Sequence, residues 1–173
     1  MRRRVLGFFS AVAVTSCLLT GFQGVSIAQS GINLWSGVKR ENQLNHRFDF
    51  GGQADGWDRL RLRAEGKRLK TAVAQFVISY PEYYKGSFDP KKIEVRARGK
   101  SVPLQEARWD KANRVIEIFP AEPIPAGTGV EIVLSNIKNP PYGGMYYFNL
   151  AIQSPGDVPL SRYIGTYIVS IST

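Results

Sequence analysis

The sequence is poor in the side chains that carry most covalent and metal chemistry. Among 173 residues there is one cysteine, Cys17, and one histidine, His46. A single Cys excludes an intramolecular disulfide, a paired-thiol redox motif and a thiolate zinc cluster, and a single His excludes multi-histidine metal sites. Any metal would be held largely by oxygen ligands. Nor is there the apolar deficit of a disordered chain, since 43% hydrophobic against 21% charged residues is an ordinary globular balance. The length suits one domain.

What is present begins with an address. Arg2-Arg3-Arg4 is followed by an uncharged run from Val5 to Phe22, then by Ser26-Ile27-Ala28 ahead of Gln29. A charged start, an apolar stretch and a small-x-small site make a helical secretory signal over residues 1–28. Two alternatives stand beside it. An uncleaved anchor is one, because about 18 apolar residues lie near the lower limit for spanning a bilayer. The other is lipidation of Cys17, since Val14-Thr15-Ser16-Cys17 is similar to a lipobox, although the apolar run continues through Leu18, Leu19 and Phe22. Three arginines leave with the signal, so the remaining chain carries 20 basic and 14 acidic residues, a net +6, and no thiol.

Residues 29–45 are polar with isolated apolar positions and read as a linker or arm. Over residues 46–173 short strands recur. Trp57, Arg59, Arg61 and Arg63 alternate with Asp58, Leu60, Leu62 and Ala64, the period of a half-buried strand. Ala72–Tyr80 is apolar on both faces and reads as a central strand ended by Pro81. Further strands are expected at His46–Phe50, at 93–97, at Val102–Arg108 and Arg114–Phe119 joined by a hairpin turn, at Gly129–Ser135, Met145–Gln153 and Arg162–Ile171. About eight or nine short strands, with turn signals between them and no convincing helical period, predict an all-β, immunoglobulin-like antiparallel sandwich. It lacks the Cys-Trp-Cys pattern of a true immunoglobulin domain.

A search for chemistry returns little. No G-x-S-x-G elbow exists for His46 to serve, so a partly solvated strand-edge histidine is the better reading. Gly127-Thr128-Gly129 precedes a strand, whereas a phosphate loop leads into a helix, and reads as a turn. Asp49, Asp55 and Asp58 surround a glycine-rich bend without the spacing of a calcium loop. Glu82, Asp89, Asp110, Glu122 and Asp157 lie in loops where two carboxylates could face each other for glycoside hydrolysis, and Asp89 and Asp110 are the pair on which a carbohydrate-active enzyme would be tested. No catalytic, cofactor or metal residue is assigned.

Two surfaces remain. Arg59, Arg61 and Arg63 share a strand face, followed by Lys67, Arg68 and Lys70, and Lys91, Lys92, Arg96, Arg98 and Lys100 form a second basic group. If the two strands are neighbours, the result is a cationic face for anionic polysaccharide or lipid; the plainer alternative is a solubilising outer face. The tyrosines form the other surface. Tyr83 and Tyr84 lie in one loop and Tyr142 and Tyr147 near another, as platforms for sugars or anchors for an envelope protein. Tyr146 shares the parity of Phe148, Leu150 and Ile152, which turns it inward. Nucleic acid is not an expected partner of an exported chain.

A resemblance follows from the C-terminal third. Asn139-Pro140-Pro141-Tyr142-Gly143-Gly144-Met145-Tyr146, then Phe148, Pro155-Gly156 and Tyr163-Ile164-Gly165-Thr166-Tyr167, resembles the pattern of an exported cyanobacterial family, domain of unknown function 2808. Val77-Ile78-Ser79-Tyr80-Pro81, Gly86, Phe88-Asp89-Pro90 and Ile93-Glu94-Val95 extend it over residues 72–171. The resemblance implies a cell-envelope protein with no established activity. Its motif residues read as architectural, with Gly143-Gly144 expected to give positive φ at a tight bend. The functional expectation is a non-enzymatic envelope binding or structural module. The alternatives are an envelope carbohydrate-active enzyme and a membrane-associated accessory protein.

Overall fold

Side-chain alternation drives sheet formation along the described chain, residues 37–156 and 161–173 of a computed structural model. The expected signal at 1–28 and residues 29–36 of the arm lie outside the described residues. In chain order the strands are β1 (Gln43–Leu44), β2 (His46–Phe48), β3 (Trp57–Ala64), β4 (Gln75–Ser79), β5 (Ile93–Ala97) and β6 (Lys100–Val102), then β7 (Leu104–Asp110), β8 (Val115–Pro120), β9 (Val130–Lys138), β10 (Gly144–Gln153) and β11 (Ser161–Ile171). They form two sheets, ordered β1-β11-β10-β4-β8-β7 and β2-β3-β9-β5-β6. This is the expected immunoglobulin-like sandwich, with eleven strands where eight or nine were expected. Among the described residues no helix is long and apolar enough to cross a membrane.

Each sheet turns one face to the core. The smaller sheet contributes Leu60, Leu62, Val95, Ile132 and Leu134, and the larger contributes Phe76, Ile78, Ile116, Ile118, Phe148, Leu150, Ile152, Tyr167 and Val169. Burying a side chain of this size stabilises by about 1.5–3 kcal/mol. The described residues contain no cysteine, so this packing holds the sheets together without covalent help. β4 lies centrally between β10 and β8, which explains why its outward Val77 is buried as well.

The extra strands have local causes. Pro103 divides the single strand expected over Val102–Arg108, because it has no N–H to extend a ladder. The chain changes sheets there, with β6 pairing β5 in one and β7 pairing β8 in the other. β5 and β6 are joined by a two-residue turn at Arg98-Gly99, with φ of 51° and 79°, the twist that suits a tight hairpin. β1 is the other addition. It pairs with β11 in parallel, Gln43 opposite Thr166 and Leu44 opposite Tyr167, the one departure from antiparallel pairing among the described strands.

That docking requires Gly165. A Cβ on Gly165 would lie 2.6 Å from the Asn42 carbonyl oxygen and 2.7 Å from Leu44 Cγ, so the glycine of the Tyr163–Tyr167 motif admits the crossing segment. Gly143 is likewise constrained by space, as its Cβ would lie 2.8 Å from Thr173 Cγ2. The positive φ expected of the Gly143-Gly144 pair is found at Gly144, at 157°, and not at Gly143. Gly165→Ala is expected to displace β1, giving faster amide exchange at Leu44 and a loss of about 1–3 kcal/mol in chemical denaturation. Unchanged exchange at Leu44 would show that β1 does not depend on this close approach.

Candidate functional site

One end of the sandwich gathers most of its exposed large apolar side chains. Phe50, Trp57, Tyr83, Tyr142 and Met145 are 55–77% exposed, whereas Tyr163 stands apart on β11. Backbone hydrogen bonds tie the segments carrying the five together. Asn139 N–H donates to Gly56 O and Asp55 N–H to Pro140 O, both at 2.9 Å. Ala54 and Ser172 connect the same bend to the last strand through Ala54 N–H to Ser172 O at 2.7 Å and Ser172 N–H to Gly52 O at 2.9 Å. Ser87 and Lys138 exchange two backbone bonds, which brings in the 81–87 segment.

Asp58 sets the bend that carries Phe50. Its buried carboxylate accepts from Phe50 N–H at 2.9 Å, Gly52 N–H at 2.8 Å and Arg59 N–H at 2.7 Å. Trp57 sits at the outward parity of β3, with Lys138 Nζ 5.6 Å from its ring centroid and Asp55 pairing that ammonium at 2.9 Å.

The expected tyrosines divide. Tyr83 stacks on Tyr146 at 5.6 Å between centroids, and the Tyr146 hydroxyl donates to Tyr142 O at 2.8 Å. Burial, with the neighbouring Tyr147 and Tyr146 adding to it, raises the Tyr83 hydroxyl above its ordinary pKa. Tyr147 is half-buried on the outer face opposite Ile168. Tyr84 is a correction. At 4% exposure it is a core residue, edge-on to Tyr146 and Phe148 and stacked on Phe88, because the tight turn from Pro81 points successive side chains in opposite directions. Phe50, Trp57 and Met145 extend the surface beyond the residues nominated from sequence. Their signals were parity in two cases: Trp57 with Arg59, and Met145 with Tyr147.

The arginine face lies on the outer side of the smaller sheet, and its arginines are drawn into ion pairs with a smaller number of carboxylates. Arg61 is only 14% exposed and pairs with Asp49 at 2.8 Å and Glu131 at 3.2 Å. Arg63 pairs with Glu131 at 2.7 Å, Arg59 with Asp49 at 3.4 Å, and Arg96 with Glu94 at 2.9 Å. The two basic strands are not neighbours, since β9 lies between β3 and β5 and places Glu131 there. Val133, at the outward parity between Arg61 and Glu94, is buried beneath these side chains, whose stems cover apolar surface while their heads stay paired.

The other candidates for chemistry have structural partners. Asp89 accepts from Lys91 N–H and from Asn136 Nδ2, capping the 3-10 turn Pro90–Lys92, and Asp110 accepts from the backbone and side chain of Asn113. His46 is half-buried and edge-on to Phe48, and burial lowers its pKa. Among the described residues no group of three His, Cys, Asp or Glu side chains could hold a metal ion.

These features define an immunoglobulin-like β-sandwich with an aromatic end. Residues 35–171 match the model of the family described as Protein of unknown function (DUF2808), and the chain belongs to that family. No curated protein matches it. Similar solved structures include BslA, a bacterial hydrophobin, at 14% identity and TM-score 0.44 over 71% of this chain and 97% of that one. The collagen-binding domain of a Staphylococcus aureus adhesin is similar at 8% identity and TM-score 0.44, over 75% and 97%. An uncharacterized Nocardia farcinica protein with an immunoglobulin-like fold is similar at 12% identity and TM-score 0.39, over 76% and 99%.

The ion-paired face makes stability depend on pH. The hydrogen bond from Arg61, with the charges of Arg61, Arg47 and Arg59, holds the Asp49 carboxyl below its ordinary range against the opposing effect of burial. Burial pushes Glu131 up, but bonds from Arg63 and Arg61 outweigh it and leave that carboxyl lowered too. A lowered folded pKa gives stabilisation that is present above the unfolded value and lost as pH falls through the folded one. Thermal unfolding is therefore expected at lower temperature as pH drops below about 4, the ordinary carboxylate value. Arg61→Met is expected to remove about 1–3 kcal/mol at neutral pH and to flatten that acid dependence. An unchanged acid slope in the variant would refute the assignment to Arg61.

Proposed function

We propose that the chain is an exported, non-enzymatic module of the cyanobacterial cell envelope that holds a partner protein against its aromatic end. The observation that carries this reading is the gathering of Phe50, Trp57, Tyr83, Tyr142 and Met145, all more than half exposed, on segments tied to one another by backbone hydrogen bonds. Large apolar side chains left exposed at one end of a domain mark interaction sites, and Trp and Tyr are the residues that dominate protein interfaces. Met145 and Phe50 favour a protein partner over a sugar, since neither has a polar tip to place beside hydroxyl groups. Export rests on the signal pattern of residues 1–28, and the cyanobacterial envelope on the family resemblance.

A photo-crosslinking amino acid at Tyr142 is expected to trap a defined envelope protein in producing cells. The same group at Lys100, on the hairpin outside the aromatic end, is expected to trap none. Trp57→Ser should reduce the Tyr142 adduct about tenfold or more if the indole is a main anchor. Adducts only to lipid, only to a second copy of this chain, or equally from both positions would overturn the reading.

A further inference from the structure

β7 is the edge strand of the larger sheet, and its last turn borders a depression of about 280 Å³. Its walls include Tyr80 and Trp109, and Lys85, Lys111 and Arg114 line it with Glu82 as the one carboxylate. Among the described residues none of these three cations is in an ion pair, in contrast to the arginines of β3. Three cations thus face one lining carboxylate, with Asp110 also close enough to act on Tyr80. Lys111 Nζ lies 6.0 Å from the Trp109 ring centroid, so the cation and the indole address the same space.

The interior of the depression is built. Trp109 Nε1–H donates to the Tyr80 hydroxyl oxygen at 2.7 Å, and Phe88 packs edge-on against the indole at 5.5 Å. With its oxygen receiving that bond, the Tyr80 hydroxyl keeps its own proton, for which no acceptor is present among the described residues. Arg114 is held from two sides. Its carbonyl accepts from Tyr80 N–H at 3.1 Å, and Asp110 fixes the turn through Asn113 N–H at 2.9 Å and Asn113 Nδ2 at 2.7 Å. The backbone of Arg114 has φ of 58°, a left-handed conformation that an arginine adopts at the expense of stability where glycine would not.

We infer that this depression is a binding site for an acidic sugar residue, a uronate unit of an anionic polysaccharide. The carboxylate would meet Arg114, Lys111 and Lys85, the Tyr80 proton would go to a ligand oxygen, and the ring would lie against Trp109. Glu82 remains as an acceptor for a sugar hydroxyl. The volume is at the lower edge of ligand pockets, which start near about 300 Å³, and suits one ring of a polymer. The site does not rest on the partner proposed for the aromatic end, whose side chains it does not use.

Calorimetric titration of the full chain with tri-galacturonate, its methyl ester and a sulfated galactan trimer tests the assignment. Tri-galacturonate is expected to bind, and the methyl ester, which lacks the charge, to bind at least about tenfold more weakly. Arg114→Gly removes the guanidinium while relieving the backbone, so the fold is kept and affinity is expected to fall about tenfold. Lys111→Gln, at an exposed turn position, should weaken binding in the same direction, while Trp57→Ser leaves it unchanged. Absence of tri-galacturonate binding, equal binding of the methyl ester, tighter binding of the sulfated trimer, or unaltered affinity in Arg114→Gly would each overturn the proposal.

Discussion

Asn139 is buried at the start of the Asn-Pro-Pro motif, and it donates twice into the 53–56 bend, from its backbone to Gly56 O and from Nδ2 to Gln53 O, each at 2.9 Å. The aromatic end depends on that tie. A bend with glycines at 51, 52 and 56 has little preference of its own, and ordering it opposes folding by about 1–2 kcal/mol per residue in backbone entropy. Asn139 on one side, Asp58 beneath and Ser172 on the other supply the bonds that offset it. With the bend fixed, Phe50 and Trp57 are presented from a scaffold rather than from a loose loop, which reduces what a partner must order on binding.

The same economy of partners separates the two basic regions. On the outer face of the smaller sheet each arginine of β3 finds a carboxylate, although Arg47, Arg59, Arg61 and Arg63 share Asp49 and Glu131 between them, so the row is less cationic in three dimensions than in one. Around Trp109 the reverse holds. Lys85, Lys111 and Arg114 come from two separate turns, look unremarkable in the sequence, and meet with a single carboxylate among them. Charge available to a ligand is thus found where no run of basic residues announces it.

Much of the fold was legible because strand periodicity is local. β3 begins and ends where its alternation does, and the inward turn of Tyr146 follows from its parity with Phe148. What escaped was set by pairing at a distance. β1 has only two residues and takes its structure from β11 more than 120 positions away, which no local pattern encodes. The strand expected across Pro103 is apolar enough on either side to read as one, and only the change of sheet shows the proline as a switch. The pairing of the arginine face was hidden for the same reason: Asp49 lies 12 positions from Arg61, and Glu131 lies 70. Of the candidate site, the exposure of Tyr142 followed from the adjoining glycines and the outward side of Tyr147 from parity, whereas Tyr83 and Tyr84 are adjacent and nothing local tells which one enters the core.

The segment from Pro81 to Gly86 connects the two surfaces, and its geometry explains why they can coexist. Tyr84 is its anchor, packed among Tyr80, Phe88, Tyr146 and Phe148. The residues on either side of that anchor then diverge: Tyr83 goes to the aromatic end, stacked on Tyr146, and Lys85 to the depression beside Trp109. Gly86 completes the turn, since a Cβ there would lie 2.5 Å from Lys138 O and 2.7 Å from the Tyr84 ring. A buried tyrosine between two exposed neighbours thus ties both surfaces to one packing unit, so a change that loosens Tyr84 would disturb both, while substitutions at Tyr83 or Lys85 can act on one alone.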